Sequence, residues 1–342
     1  MVRIFGKKLS GKTIFNIATI MLSLGLLVYF CLSEDGLINL AGHIHDFKIL
    51  WLIAGFLCMI LDLVFDAVLI YIFTKNIQED YTARRAFKVC MVGHLYSAVT
   101  PFQSGGQPMQ IYVMNKQGVD PGLATSAMVQ KFFIYQTGIT LYSLFAIIFQ
   151  LRYFRNTLNP LMWWLAAVGF VAQIAVAMLL LVFSFNPRVT HKVLTLAGKL
   201  LSKLHLIKDY ETTLSAWEKQ LESFHVSNQY LYKNRLLVLK TYGLTFLQLT
   251  SLFAVSYCIF RAFNIGSVSP VNMICSQAFV TMVSSLIPLP GAAGASEGSF
   301  AVFFSSFFTS GTLKSAILVW RIITYYSVIL ISAPFSRIAK KM

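Results

Sequence analysis

Charged residues are scarce in this 342-residue sequence: they make up 12% of it, whereas hydrophobic residues make up 57%, and the mean hydropathy is +0.68. A soluble domain carries about 25% charged residues, so the composition excludes an ordinary soluble protein. Acidic residues are the rarest charge class, with 13 against 28 lysines and arginines, which gives a net charge of +15. In a chain this apolar we attribute the excess to membrane topology, and we expect no nucleic-acid partner.

Cysteines are few, and familiar catalytic motifs are missing. The five cysteines all lie in apolar segments, with neither CxxC pairs nor metal-ligand spacing. We therefore expect no disulfide framework, no metal and no cofactor. The sequence also lacks a nucleophile elbow, an HExxH motif, a P-loop and a dinucleotide fingerprint. These absences favour a transporter over an enzyme.

Long hydrophobic runs fill most of the sequence. A bilayer-spanning helix needs about 20 apolar residues. Six runs meet that length, which predicts an all-α polytopic membrane protein with a single transmembrane domain over residues 1–342. The runs are 13–33, 49–74, 121–150, 161–185, 236–260 and 315–335.

Two further apolar stretches, 87–117 and 270–310, are interrupted in the middle by proline and glycine, at Pro101–Pro108 and at Pro288–Gly298. If each stretch crosses the membrane once, the lysines and arginines outside the spans divide 14 against 12 between the two sides. If each returns as a re-entrant hairpin, they divide 21 against 5. The positive-inside rule favours the hairpins, and it predicts a multi-pass plasma-membrane protein with both termini in the cytoplasm.

Re-entrant hairpins would imply an inverted repeat, because each would lie between two spans and the two would enter from opposite faces. Two short sequence matches agree with a repeat. Thr100-Pro101-Phe102 recurs as Ile287-Pro288-Leu289, and Lys131-Phe-Phe-Ile-Tyr135 recurs as Arg321-Ile-Ile-Thr-Tyr325. Because such matches also arise by chance in apolar sequence, the repeat is a hypothesis at this point.

The only sizeable polar region is 186–235. It begins with apolar residues at helical spacing, flanked by lysine and arginine. This pattern predicts a cytoplasmic amphipathic helix on anionic lipid, with a helical loop folded on itself as the alternative. The apolar positions are Val193, Leu196, Leu200, Leu204 and Ile207.

Ionisable side chains inside apolar runs mark candidate sites, since each costs at least about 2.5 kcal/mol at a helix centre. Asp62 and Asp66 share one helix face, which predicts a cationic partner or the protonation of one of them. Lys131 and Arg321 could pair with carboxylates or hold a lipid phosphate. The alternatives are snorkelling of Lys131 to the interface and a plain aromatic belt around Arg321 and Tyr325.

The interrupted segments are the second candidate. Non-helical backbone inside a membrane must face protein or water, so these segments should point inward, where free amides at helix starts could hold a headgroup. Gln103, Gln107 and Glu297 beside the glycines favour this function over packing, although Gly294–Gly298 also forms a GxxxG packing motif. His94 is interpreted as a satisfied interior histidine.

The order of these motifs resembles the lysylphosphatidylglycerol synthase family in its flippase-like membrane region, over almost the whole chain but without the synthase domain. The motifs are TPFQSGGQPMQIYVMNKQGV, a basic residue in the next span, and PLPGAAGASEGSF followed by VWRIITYY. Gln107 stands where family members often carry an acidic residue. The matched positions are Pro101, Gly105, Gly106, Gln107 and Pro108 in the first motif, Pro290, Gly291, Gly294, Glu297 and Gly298 in the second, and Arg321.

This resemblance implies a translocator of an aminoacylated or other polar phospholipid, linked to lysylphosphatidylglycerol metabolism and to resistance against cationic antimicrobial peptides. In that role Asp62, Asp66 and Glu297 would meet a cationic headgroup, and Arg321 and Lys131 would hold its phosphate. The implied partners are membrane phospholipid and a separately encoded synthase. The alternatives are a phosphatidylglycerol lysyltransferase, a membrane glycosyltransferase and a scaffold for a separate synthase.

Overall fold

A computed structural model shows a helical protein. Its only described strands are two-residue ones, β1 (Arg3–Ile4) and β2 (Lys7–Lys8), which pair antiparallel. The predicted first span, 13–33, lies outside the described residues, as do Leu204, Ile207 and Pro288. The structure describes residues 3–4, 7–8, 47–157, 160–203, 214–215, 217–218, 221–222, 226, 233–266, 268–285, 287 and 289–336.

The described helices alternate between long rods and short paired segments. Short 3-10 turns at Pro101–Gln103 and Pro290–Ala292 interrupt the pairs, a π-helical turn at Ile322–Tyr326 follows α10, and a 3-10 turn at Ala333–Phe335 follows α11. The α-helices are α1 (Ile49–Lys75), α2 (Ala83–Ala98), α3 (Gly106–Lys116), α4 (Pro121–Thr157), α5 (Pro160–Phe185), α6 (Pro187–Lys203), α7 (Arg235–Ala262), α8 (Pro270–Ser284), α9 (Ala295–Phe304), α10 (Ser310–Arg321) and α11 (Ser327–Ser332).

Several helix starts follow from local sequence. Proline opens α4, α5, α6 and α8, where its missing N–H is harmless and its fixed φ is already helical. Asp120 precedes α4 and accepts the N–H of Gly122 at 2.8 Å. Asn234 precedes α7 and accepts the N–H of Leu237 at 3.1 Å. These side chains satisfy amides that the first helical turn leaves free.

Five helical segments are long and apolar enough to cross a membrane. They correspond to five of the six predicted spans, and they confirm the all-α polytopic class. Large apolar side chains face outward on them, as Leu50, Phe149 and Trp164 do at more than 70% exposure. The segments are Ile49–Lys75, Pro121–Gln150, Trp163–Val182, Arg235–Ala262 and Gly311–Phe335.

The first interrupted stretch folds into a helical hairpin, hairpin 1 (residues 83–116), in which α2 and α3 run antiparallel. At its open end, Gln117 Nε2 donates to the Arg85 carbonyl at 3.4 Å. Near its turn, a Cβ on Gly106 would lie 2.9 Å from the Gly93 carbonyl oxygen. Only glycine allows so close an approach of the two backbones. Thr100 fastens the turn, because its hydroxyl accepts the Gly105 N–H at 2.8 Å.

The second interrupted stretch forms hairpin 2 (residues 270–304), in which α8 packs against α9. Phe279 of α8 and Phe303 of α9 stack with their ring centroids 5.6 Å apart. Both interrupted stretches therefore fold back on themselves, as the charge distribution predicted.

The turns of the two hairpins share one backbone shape. Each begins with a proline, Pro101 or Pro290, and continues with two residues of positive φ. The φ angles are 52° and 57° at Phe102 and Gln103, and 58° and 48° at Gly291 and Ala292. The structural equivalent of Pro101 is therefore Pro290. The sequence match that paired Pro101 with Pro288 was wrong by two residues, because short apolar matches do not fix register.

The order span, hairpin, span occurs twice: α1, hairpin 1, α4 and then α7, hairpin 2, α10–α11. The first spans of the two halves, α1 and α7, pack antiparallel, with the Lys48 N–H donating to the Ala262 carbonyl at 3.0 Å. Each hairpin also packs against a span of the other half, α2 on α11 and α8 on α4. This arrangement supports the inverted repeat.

Helix α6 corresponds to the predicted amphipathic segment. Val193 and Leu196 are exposed at 42% and 61%, so the described core does not cover its apolar face. His191 Nε2 lies 2.9 Å from Glu218 Oε1, within hydrogen-bonding distance, which connects α6 to the rest of the polar region.

Candidate functional site

One group of buried polar side chains centres on Asp66 in α1. Lys131 Nζ from α4 lies 2.6 Å from Asp66 Oδ1, and His94 Nε2 from α2 lies 3.3 Å from Oδ2. Cys90 Sγ donates to Oδ2 at 3.2 Å, and Gln248 Nε2 from α7 donates to Oδ1 at 3.4 Å. Four helices thus converge on a carboxylate that is only 4% exposed. Together with Asp62, these residues form what we call the Asp66 cluster.

Helical periodicity explains how this cluster assembles. Asp62 and Asp66 are four residues apart on α1, and Cys90 and His94 are four apart on α2, so each pair occupies one helix face. Asp62 is 7% exposed and lies within hydrogen-bonding reach of Gln248. Of the two predicted solutions for the aspartate pair, a cationic partner or the protonation of one member, the structure shows a cationic partner at Asp66. Among the described residues, no basic nitrogen lies within 4.0 Å of Asp62.

Three atoms of the cluster could in principle bind a metal. The ligand atoms of Asp66, Cys90 and His94 lie within 4.8 Å of one another, a grouping that linear spacing did not reveal because Asp66 comes from another helix. The Lys131 ammonium already supplies a cation to Asp66, and its charge opposes a second cation beside it. We therefore interpret the group as an ion-pair network.

A second buried group, the Arg321 cluster (Gly291, Gly294, Glu297, Arg321 and Tyr325), closes hairpin 2. Arg321 Nε donates to Glu297 Oε1 at 2.7 Å, and Arg321 Nη2 donates to the Gly291 carbonyl at 3.0 Å. The other carboxylate oxygen of Glu297 accepts the Gly294 N–H at 2.7 Å, which caps the start of α9. The side chains of Arg321 and Glu297 are 7% and 10% exposed. This ion pair holds the turn of hairpin 2 against α10.

Aromatic rings complete the Arg321 cluster. The guanidinium carbon lies 5.1 Å from the Tyr325 ring centroid and 5.4 Å from that of Trp320. Tyr325 belongs to the π-helical turn, and its hydroxyl donates to the Ala98 carbonyl of hairpin 1 at 2.9 Å. A Cβ on Gly291 would overlap the Tyr325 ring, so glycine is required there. The inward contacts of Tyr325 distinguish it from a member of a plain aromatic belt.

The two clusters are joined through the hairpins. The turns at Pro101–Gln103 and Pro290–Ala292 contact each other. Along α2, His94 precedes Ala98 by one helical turn, about 6 Å of rise. The contacts of α2 with the Asp66 cluster and with Tyr325 are therefore one helical turn apart.

The remaining predicted site residues differ in exposure. Gln103 lies exposed in the turn of hairpin 1, Gln107 is half-buried at the start of α3, and Gly105 accommodates Thr100. Among the described residues, a Cβ on Gly294 or Gly298 would meet nothing within 4 Å. The GxxxG packing alternative therefore has no close contact to support it.

Sequence reasoning missed Cys90 and Gln248. It interpreted His94 as a satisfied interior histidine, whereas His94 Nε2 lies 3.3 Å from Asp66 Oδ2 without a well-aligned hydrogen bond. Cys90 and His94 are four residues apart in a segment that also contains the hairpin, and this spacing was the one available signal. Gln248 is 182 residues from Asp66, so only the packing of α7 on α1 brings it into the cluster.

Residues 16–332 match the family described as the Lysylphosphatidylglycerol synthase TM region. The chain belongs to this family. It is also similar to a "UPF0104 membrane protein" of Archaeoglobus fulgidus, with 24% identity over 72% of this chain and 74% of that one. The "Uncharacterized protein MG306" of Mycoplasma genitalium is 22% identical over 69% of this chain and 64% of its own length. The resemblance in the motifs of both hairpins is thus confirmed at the level of the family.

Proposed function

We propose that this family member is a lipid translocator for an aminoacylated or other polar phospholipid. The observation that carries the proposal is the burial of two ion pairs beside two helical hairpins whose turns meet, Asp66–Lys131 next to α2 of hairpin 1 and Glu297–Arg321 at the turn of hairpin 2. Charges at membrane depth are costly, and they typically mark substrate or ion pathways. The outward surface of the long helices is apolar, so the polar path runs through the interior.

The two ion pairs suit different tasks. Arg321 donates to Glu297 and to the Gly291 carbonyl, so this pair holds hairpin 2 in place. The Lys131 side chain is 13% exposed, and its described contact is one carboxylate oxygen of Asp66. In this proposal a lipid phosphate that enters the interior pairs with Lys131, while a cationic headgroup meets Asp62 and Asp66.

Movement of the lipid would follow from the repeat. In transporters built from inverted repeats, one half rocks against the other around a site at their interface. Here the halves meet along α1 and α7 and at the two turns, so relative motion would expose the site to each leaflet in turn. We propose a multi-pass plasma-membrane location with both termini in the cytoplasm. In support, the open end of hairpin 1 carries four basic residues, Arg84, Arg85 and Lys88 at the start of α2 and Lys116 at the end of α3.

A leaflet-resolved lipid assay in reconstituted vesicles tests the proposal. A headgroup-labelled phosphatidylglycerol analogue is followed by the fraction that an impermeant quencher reaches. Wild type should move the lipid between leaflets, whereas Lys131→Met and Arg321→Ala should lose most of this activity. Arg84→Ala is the matched control, because Arg84 is exposed in the first turn of α2. Wild type without movement, or full activity in both interior variants, would refute the proposal.

A further inference from the structure

The Asp66 cluster holds more fixed negative charge than fixed positive charge. Two carboxylates, Asp62 and Asp66, face a single ammonium, Lys131, and the His94 imidazole adds a positive charge only when it is protonated. Both aspartates are more than 90% buried. An uncompensated buried charge is unfavourable and is normally neutralised by a partner or by protonation.

Among the described residues, the neighbouring elements supply no further positive charge. The helix that packs from the other half, α7, contributes Gln248, which is uncharged. The apolar run 13–33, outside the described residues, contains no lysine, arginine or histidine. The titratable or charged groups that face the pair from the described helices are Asp62 and Asp66 of α1, Cys90 and His94 of α2, and Lys131 and Tyr135 of α4.

We propose that the Asp66 cluster is a proton-binding site that holds one exchangeable proton on the Asp62–Asp66 pair and takes up a second when a phosphate group draws Lys131 away. The resting proton belongs on Asp62, because Asp66 already receives Lys131, Cys90 and Gln248. When Lys131 turns to a phosphate, Asp66 loses its counter-charge and becomes the carboxylate that must be neutralised.

The geometry offers a route for the second proton. The side chain of His94 is 26% exposed, while its Nε2 atom is buried, 3.3 Å from Asp66 Oδ2, without a well-aligned hydrogen bond. An imidazole so placed can accept a proton at its accessible nitrogen and deliver one from the other. The step moves one proton from water to a carboxylate oxygen as one phosphate anion enters, so the buried charge is unchanged.

Coupling of this kind is reciprocal: if phosphate binding takes up a proton, then a lower pH must strengthen phosphate binding. The identity of the anion as a lipid phosphate rests on the proposed function, whereas the resting proton on Asp62 does not. The two steps therefore need separate measurements.

The resting proton is tested by infrared difference spectroscopy of the purified full chain during a pH titration. Wild type should show a protonated-carboxyl C=O band from the interior that Asp62→Asn removes and that the exposed control Asp80→Asn leaves in place. Lys131→Met should increase this band, because both aspartates would then need a proton. Absence of a band that depends on Asp62 would overturn the proposal, as would Zn²⁺ binding that removes the band and is lost in Cys90→Ser.

Proton uptake is tested with a pH-indicator dye in weakly buffered detergent solution. Addition of phosphatidylglycerol in micelles should cause uptake of about one proton per bound lipid, and Lys131→Met should abolish it. Sulfate, a soluble anion that does not buffer near neutral pH, should cause none. Lipid binding without proton uptake overturns the coupling between phosphate binding and protonation. Proton uptake when sulfate is added without lipid overturns the assignment of the anion as a lipid phosphate. Because the assay detects binding and not translocation, a failed leaflet assay with intact uptake refutes only the proposed function.

Discussion

Hairpin 1 and hairpin 2 have the same backbone shape in their turns but differ in accessibility. In hairpin 1 the side chain after the proline, Phe102, is 61% exposed, whereas in hairpin 2 Ala292 is 6% exposed and Gly291 is also buried. The ion pairs differ in how they are held. Asp66 accepts from several donors besides Lys131, while Arg321 donates from two of its nitrogens to Glu297 and the Gly291 carbonyl.

This difference shows that a shared fold does not impose a shared task. Two turns of equivalent backbone geometry can differ in role: the turn of hairpin 1 is accessible, whereas the turn of hairpin 2 is buried and held by an ion pair. For the proposed translocator, such asymmetry is expected of one end state, since one half is open while the other is closed. In that proposal, ligand reaches the interior beside hairpin 1 in this conformation.

The largest expected effect concerns the two ion pairs. Arg321→Ala should lower the free energy of unfolding by about 3–5 kcal/mol, because it leaves the buried Glu297 carboxylate without its partner. Lys131→Met should cost less, about 1–2 kcal/mol, since Asp66 keeps other donors and can take a proton. Denaturant unfolding of the detergent-purified variants measures both values. A larger loss of unfolding free energy for Lys131→Met than for Arg321→Ala would mean that Asp66–Lys131 is the structural ion pair and Glu297–Arg321 the exchangeable one.

A smaller effect is expected at the equivalent turn positions. Gly291→Ala should lower stability by about 2 kcal/mol, because the new Cβ would overlap the Tyr325 ring at a positive φ. Phe102→Gly should leave stability unchanged or raise it by up to about 1 kcal/mol, since glycine relieves the unfavourable φ. Thermal unfolding of the two variants is the measurement. Equal destabilisation would show that Phe102 makes packing contacts comparable to those of Gly291.

The accessibility of the two turns can be compared in cysteine variants whose stability should change little. Cysteine introduced as Phe102→Cys should react readily with a thiol reagent, and cysteine introduced as Ala292→Cys should be protected. The rate for each variant is measured by mass spectrometry relative to wild type, whose described cysteines are Cys58, Cys90, Cys258 and Cys275. Similar labelling at both positions would remove the distinction between an accessible and a sealed turn.

Sequence alone predicted the features that depend on local physics. Membrane spans follow from the length of apolar runs, and the interruptions at Pro101–Pro108 and Pro288–Gly298 follow from residues that break helices. The ionisable candidates were visible for the same reason, since a charge inside an apolar run is conspicuous. The positive-inside distribution also indicated that both interrupted stretches return, as the antiparallel pairs α2–α3 and α8–α9 do.

The pairing of those residues was not predictable. Whether Lys131 meets Asp66 or a phosphate depends on the rotation of α4 relative to α1, which periodicity does not determine. Arg321 pairs with Glu297 through the turn of hairpin 2, so its partner depends on a backbone conformation rather than on spacing. The predicted register between the two repeats was wrong for a related reason. The positive φ at Phe102 leaves no signature in the sequence, because the residue there is not glycine.

Photo-crosslinking with a headgroup-labelled phospholipid tests the central claim, that a lipid headgroup reaches the interior beside hairpin 1, most directly. After irradiation of the reconstituted protein, adducts are mapped by peptide mass spectrometry. We predict adducts on the turn at residues 101–104 and on the Lys131 segment of α4, with loss of the latter in Lys131→Met. Adducts confined to the outward faces of α1, α4 and α5, with none on the turn of hairpin 1, would contradict the account.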